Sequence, residues 1–351
     1  MNSGAGGFDS HALPPSLSPV LTLREYEPGD ETEILAAFNR IFAAVDPTFT
    51  PRTERFWRWQ FLENPSGSLA LLAWTEDGRV AGQLANVLQR VRMDGKLVSF
   101  SQAVDSMSDP AQRQGLKRES LQARLGNAYA EKYAGPAPGQ HALLWGAPVP
   151  AAWRVGKTFI RYEVIRTQLQ LVVPPALVRA KPARDVTVQV VERFPLEVAD
   201  LFERVCEEHR AIAVRDAPQL DWRFATHPEK TYAIALARRG EALIGAAVFR
   251  RGAFDARADQ GLLCDWLVPA GEADARATLL AWLAERGRAE GVERLCALFP
   301  DTTREWIAFQ RAGFRVEPTT YAIVGRECVP GYDMRWMHEH WYYTLGDTDL
   351  V

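Results

Sequence analysis

The feature that most constrains this chain is an internal echo. Trp59-Gln60-Phe61-Leu62-Glu63-Asn64-Pro65 aligns without gaps on Trp222-Arg223-Phe224-Ala225-Thr226-His227-Pro228, at an offset of 163 residues. At the same offset the apolar run 70–73 falls on 233–236, and Val80-Ala81-Gly82 falls on Leu243-Ile244-Gly245. Each copy reads as an aromatic helix end, Asn or His before Pro, a strand, a tight turn, and a second strand opening near Gly. Later matches keep their order with small shifts. Val104-Asp105 resembles Cys264-Asp265, each on an apolar strand that runs into a proline, Pro110 or Pro269. Helical spacing follows in Leu121, Leu125, Ala128 and Tyr129, and again in Leu279, Leu280 and Leu283. Strands ending at Pro148 and Pro300 come next, then Phe159 and Phe314, each near a glycine.

A repeat of this length sets the architecture. The expected class is α/β (α+β mixed sheet), one unit used twice. The length of 351 residues agrees, at roughly 150 residues per domain. The expected division is a disordered leader (1–20), a first unit (21–173), a proline-bearing linker (174–186), a second unit (187–325) and an aromatic C-terminal arm (326–351). The leader holds ten Gly, Ser or Pro and no Lys or Arg, which is not the pattern of a secretory signal.

Composition narrows the partners. A net charge of −3 provides no positive balance to release counterions from nucleic acid, so no nucleic-acid partner is expected. No apolar stretch approaches the roughly 20 residues of a membrane span, so no membrane is expected. Cys206, Cys264, Cys296 and Cys328 lie scattered without CxxC spacing. They read as buried free thiols of a cytoplasmic protein. His338 and His340 find no third ligand in the sequence, so no metal is expected. There is no Ser-His-Asp signature, Walker loop or dinucleotide fingerprint.

The segment with chemical content is 99–133. A strand leads through Asp109-Pro110 into Gln112-Arg113-Gln114-Gly115-Leu116-Lys117-Arg118, and a helix follows. Free N–H groups at a helix start make an anion site, and Gly115 allows close backbone approach. The cations there destabilise a helix N-terminus unless an anion binds; the bland reading is a solvated helix start. The matching helix of the second copy opens with Glu272 and Asp274, which satisfy the dipole and would repel a pyrophosphate.

Set between strand and helix, the first segment resembles the pyrophosphate loop of the GNAT superfamily of acetyl-CoA-dependent N-acyltransferases, Gln/Arg-x-x-Gly-x-Gly/Ala. Gln112 and Gly115 match, and Lys117 stands where the superfamily has a small residue. The second copy keeps the superfamily's closing pattern in Phe309-Gln310-Arg311-Ala312-Gly313-Phe314. The resemblance implies two GNAT-like units in tandem, each a mixed central sheet flanked by helices. It implies acetyl-CoA as co-substrate and a small-molecule primary amine as acceptor, attacking directly in a ternary complex. It implies backbone contacts to the pantetheine arm from Met107 and Ser108. The pyrophosphate contacts would come from Gln112, Arg113, Gln114, Gly115, Leu116, Lys117 and Arg118.

Two candidates for the catalytic base follow. Asp105 would act directly or through water; its other reading is an inward-facing Asp bonded to backbone, which Asp265 in the second copy favours. Tandem superfamily members of the aminoglycoside-acetylating, enhanced-intracellular-survival type use a C-terminal carboxylate as proton acceptor, which points to Val351. The tyrosine that often protonates the thiolate in the superfamily is replaced here by Trp153. Five aromatics between Tyr332 and Tyr343 make the arm a packing element. Two alternatives stand beside this reading: a tRNA-dependent aminoacyl transferase of related tandem fold, and a non-catalytic CoA- or ligand-binding protein.

Overall fold

The computed structural model describes residues 21–112, 120–255 and 257–350; the expected leader, 1–20, lies outside them. The first half runs β1 (Thr22–Glu25), α1 (Glu31–Ala43), α2 (Glu54–Phe61), β2 (Ser68–Trp74), β3 (Val80–Met93), β4 (Lys96–Ser108), α3 (Leu121–Tyr133), β5 (Leu143–Gly146), α4 (Pro150–Val155) and β6 (Glu163–Val173). The second runs β7 (Thr187–Val191), α5 (Val198–Cys206), β8 (Ala211–Ala213), α6 (Ala217–Leu220), β9 (Ala233–Arg239), β10 (Ala242–Phe254), β11 (Arg257–Leu267), α7 (Ala273–Ala289), β12 (Leu295–Ala297), α8 (Arg304–Arg311) and β13 (Arg315–Glu327). The arm adds α9 (Met334–His340) and β14 (Trp341–Tyr342).

Local chemistry sets these boundaries. Thr53, Asp216 and Thr303 cap α2, α6 and α8, each accepting a backbone N–H three residues on. Asp94-Gly95 joins β3 to β4 with φ values of 47° and 75°, the paired positive φ of a two-residue hairpin turn. β2 alternates between faces: Leu72 packs under α1 and α2, whereas Leu71 and Ala73 pack against α3. A sheet covered on both sides explains why this strand reads as a continuous apolar run.

Fourteen strands among the described residues join one mixed sheet, with the main path β1-β2-β3-β4-β5-β13-β6-β12-β11-β10-β9-β7. Its centre is crossed. β13, from the second half, lies antiparallel between β5 and β6, and β6 in turn pairs with β12. Each half thus lends its last strand to the other. The arm is built into this centre. Trp341, Tyr342 and Tyr343 are each 2% exposed, and β14 pairs with β8, which pairs with β3. Each buried aromatic contributes roughly 4–6 kcal/mol of gross transfer free energy before ordering costs.

Three histidines in this interior are held neutral. Burial lowers His141 to about 4 and His209 and His227 to about 3. An unfolded chain takes up these protons near pH 6.5, well before the folded one does. Stability contributed by the three groups is therefore present above pH 6.5 and lost as pH falls toward 4, by up to about 4 kcal/mol per pH unit. Glu305, Asp347 and Asp349, whose carboxyls are raised by the protein around them, oppose this slope. The difference between wild type and His141→Asn isolates one histidine. Chemical denaturation from pH 4 to 7 should show the variant's slope reduced by about one proton; identical slopes would refute the assignment.

Candidate functional site

The site begins where β4 and β5 part. Their parallel ladder holds only Phe100–Gln102 against Leu143–Trp145, and from Ala103 onward the β5 side of β4 has no ladder partner among the described residues. Gly146 lies at the apex of this gap, where a Cβ would only reach ordinary van der Waals contact with the Ala103 carbonyl oxygen, at 3.4 Å. A bulge lies here. Met107 faces Gln83 but Val104 faces Ala85, leaving one extra residue on β4, and Asp105 takes φ of 49°. Such a backbone costs a non-glycine residue of order 1–2 kcal/mol and needs fixing by its surroundings.

That fixing is visible. Gln83 Nε2 donates to the Asp105 carbonyl at 3.1 Å and Gln60 Nε2 to its carboxylate at 3.3 Å. Arg52 forms an ion pair with the same carboxylate. The Arg52 guanidinium lies 4.5 and 4.6 Å from the ring centres of Phe38 and Phe56, and burial pushes its pKa down to about 10. The Asp105 side chain is therefore committed to an arginine.

The second half repeats this pair. Arg215 follows Arg52 at the same offset of 163 residues, and its Nε donates to Asp265 at 3.1 Å, beside a bulge at Cys264. What differs is the space beyond. β11 and β12 pair only through Gly261–Leu263 and Leu295–Ala297, and the arm fills the gap after them. Tyr342 Oη donates to the Trp266 carbonyl at 2.9 Å and Thr344 Oγ1 to Asp265 at 3.0 Å. Arg215 Nη2 reaches Asp347 at 2.6 Å. Gly346 passes so close that a Cβ would lie 2.8 Å from the Cys264 carbonyl oxygen and 2.6 Å from Phe224. Glu272 and Asp274, at the start of α7, are engaged by Arg239 at 3.0 and 3.4 Å. Among the described residues one gap is open and its counterpart is filled by the arm.

Gln102 and Val104 of β4 also line a cleft walled by α2, β3, β4, residues 213–230 and the arm. Trp59 and Trp222 stack in it, 5.0 Å apart and 16° from parallel, each Nε1 donating to the other's carbonyl at 2.8 Å. Most charges lining the cleft are matched. Arg90 pairs with Asp216 at 2.9 Å, Arg215 with Asp265 and Asp347, and Arg223 donates to the carbonyls of Gly346 and Thr348 at 2.9 and 3.1 Å. Two remain aimed at the cavity. Asp349 is accessible from the cleft yet ringed by protein; its Oδ1 accepts from Gln102 Nε2 at 2.8 Å. Burial raises its pKa, against the pull of Arg223, Arg52 and Lys230. The Lys230 backbone N–H donates to His227 Nδ1 at 3.1 Å, whereas its ammonium has no hydrogen-bond or ion-pair partner among the described residues, and burial lowers it to about 8.

The residues expected from sequence are distributed as follows. Asp105 sits on the bulge beside the gap. The Met107 side chain lies in the core under α1 and α2, and its carbonyl accepts from Gln122. Ser108 pairs with Gly82 at the end of β4. Gln112 closes a short 3₁₀ turn, its N–H donating to Asp109 at 2.9 Å. Arg113, Gln114, Gly115, Leu116, Lys117, Arg118 and Val351 lie outside the described residues. Trp153 is half-buried on α4. Sequence reasoning missed Arg52, Gln102, Lys230 and Asp349. Arg52 carried a signal, its alignment with Arg215; Asp349 carried none, because only the arm's path brings it here. The described residues include no group of three or more His, Cys, Asp or Glu able to hold a metal, and no helix long and apolar enough to cross a membrane.

No family model matches the chain, and no curated protein matches it in sequence. Its fold has clear relatives. A probable N-acyltransferase from Enterococcus faecalis V583 superposes with a TM-score of 0.63 at 14% identity, over 88% of this chain and 72% of the other. A GCN5-related N-acetyltransferase from Anabaena variabilis gives 0.64 at 11% identity, over 88% and 73%. A tandem GNAT protein of the clavulanic acid biosynthesis pathway gives 0.55 at 15% identity, over 89% and 100%. The fold is that of the GCN5-related N-acetyltransferases, a large mixed sheet flanked by helices.

Proposed function

We propose that this protein is an N-acyltransferase that moves an acetyl group from acetyl-CoA to the primary amine of a small molecule. The observation that carries the reading is a β4 strand that parts from β5 and, through Gln102 and Val104, lines a cleft that presents Asp349. Units 21–173 and 187–325 would divide the work, the first taking the donor and the second, with arm 326–351, shaping the acceptor side. A cytoplasmic location fits the four free cysteines.

The residues present suit an acyl-CoA. On the β5 side of β4, residues 103–106 have no ladder partner among the described residues, and their backbone N–H and C=O groups could serve a pantetheine arm. The segment Gln112 to Arg118 would hold its pyrophosphate at the start of α3. Acyl-CoA, when bound, supplies an acyl carbon activated as a thioester. Asp349 would accept the proton the amine gives up as its nitrogen bonds that carbon and the C–S bond breaks. Gln102 fixes the orientation of Asp349, and the aromatic walls keep bulk water from competing.

Equilibrium binding of acetyl-CoA, followed by thiol release with a panel of amines, tests the proposal. Binding without turnover on any amine would favour a non-catalytic binding protein. Activity lost on RNase treatment would favour a tRNA-dependent transferase. Gly115→Asp, which puts bulk and negative charge where the pyrophosphate would sit, should weaken acetyl-CoA binding by at least about tenfold. Unchanged affinity would show that the donor binds elsewhere.

A further inference from the structure

The charges around the cleft are unevenly settled, and the imbalance defines the acceptor. Arg90, Arg215 and Arg223 are held by carboxylates or backbone carbonyls of the protein. Among the described residues the ammonium of Lys230 is not, although the residue is partly buried in the cleft wall. Its surroundings make matters worse: Arg223 and Arg250 both disfavour its charge, and Glu229, the nearest acid on its own loop, already accepts from Thr53 at 3.1 Å. The Arg250 Nε is itself buried without a partner. An ammonium placed so costs stability unless an anion arrives from outside. On another wall stands Asp349, a carboxylate that accepts from the amide of Gln102 at 2.8 Å.

Resting on the acyl-transfer reading above, we infer that the acceptor is an amino acid or similar aminocarboxylate, whose carboxylate is bound by Lys230 while its amine faces Asp349. Arg250 is not among the residues lining the cleft, and the lining arginines are already engaged, so what the cleft offers is a compact ammonium, which matches a carboxylate better than a phosphate, a group that recruits bidentate guanidinium donors. Lys230 lies on the loop before β9 and Asp349 on the arm, so the two ends of the acceptor would be read by different elements. Position 230 aligns with Gly67 in the first copy, so this cation belongs to one half of the molecule only.

Calorimetric binding to the full chain tests the inference, using ω-amino acids from glycine to 6-aminohexanoate. Each is measured beside the alkylamine and the carboxylic acid of the same length. At least one amino acid should bind about tenfold or more tightly than both counterparts, the increment of one good charged contact. Lys230→Met should erase that advantage and leave alkylamine binding within about twofold; Lys230→Arg should keep part of it. The advantage should also fade as pH rises through about 8, where Lys230, flanked by Arg223, Arg250, His227, Glu229, Cys264 and Asp349, loses its proton. Equal binding of amino acids and amines, equal losses for both in Lys230→Met, or no binding by any of them would overturn the inference. Tighter binding of aminoalkylphosphonates would overturn the carboxylate assignment. A preference for amino acids without thiol release from acetyl-CoA would instead sink the transferase reading and leave this site standing. Turnover of plain amines with no carboxylate preference would do the reverse.

Discussion

Asp349→Asn should lower kcat/KM for acyl transfer by about a thousandfold, within the range general-base catalysis supplies, or about 4 kcal/mol of transition-state stabilisation. Asn matches the carboxylate in shape and can still bond to Gln102, so the change removes a proton acceptor and little else. Burial raises the Asp349 carboxyl, meaning that the fold resists its ionisation. Neutralising it should therefore leave thermal stability unchanged or slightly higher. The pH profile separates this role from a structural one. Wild-type kcat/KM should rise with pH through an ionisation lying above the ordinary aspartate range, and the variant should lack that limb. Activity in Asp349→Asn within threefold of wild type would exclude the residue as the base and return attention to Val351.

The contrast with Asp105 shows how far the sequence can be read. Asp105 and Asp265 are recognisable as counterparts on similar strands, and each is clasped by an arginine just ahead of a capped helix, Arg52 or Arg215. Those arginines share the 163-residue offset of Trp59 and Trp222, so their equivalence is legible from spacing, whereas the aspartates stand 160 apart and their pairing with the arginines is not. The helix–turn–strand order is legible for the same reason: caps, turns and alternation act over a few residues. The crossing of β6 and β13 is not. Which strand neighbours which at long separation depends on the whole sheet closing around Trp145, Gln168 and the arm, and no local period encodes it. Asp349 is hidden for a related reason. Its position follows from where Trp341, Tyr342 and Tyr343 bury themselves, a tertiary outcome that places a polar residue eight positions downstream of Trp341 in the cleft.

The arm's anchor gives the largest expected effect on stability. Arg215 is almost fully buried and shared by two carboxylates, Asp265 at 3.1 Å and Asp347 at 2.6 Å, with Thr344 bonded to both acids. Arg215→Met keeps the volume but strands two buried acids, and removal of one partner from such a group costs about 3–5 kcal/mol. In a protein of this size that should lower Tm by roughly ten degrees. The deficit should depend on pH in a stated sense. Burial already holds the Asp347 carboxyl above its ordinary value of 3.8, and loss of the arginine removes the charge that opposes this rise. Its destabilisation is then full above that raised value and fades as pH falls below it. Arg215→Met combined with Asp265→Asn and Asp347→Asn should recover most of the lost stability, because neutral partners no longer need a cation. Turnover should not recover with it. Asp347 lies two residues before Asp349, and its bonds to Arg215 and to the Thr344 N–H hold the turn that aims Asp349 into the cleft. Restored Tm with persistently low kcat would show that this buried cluster positions the base as well as stabilising the fold. Full recovery of both would show that Asp349 is placed by the aromatic packing alone.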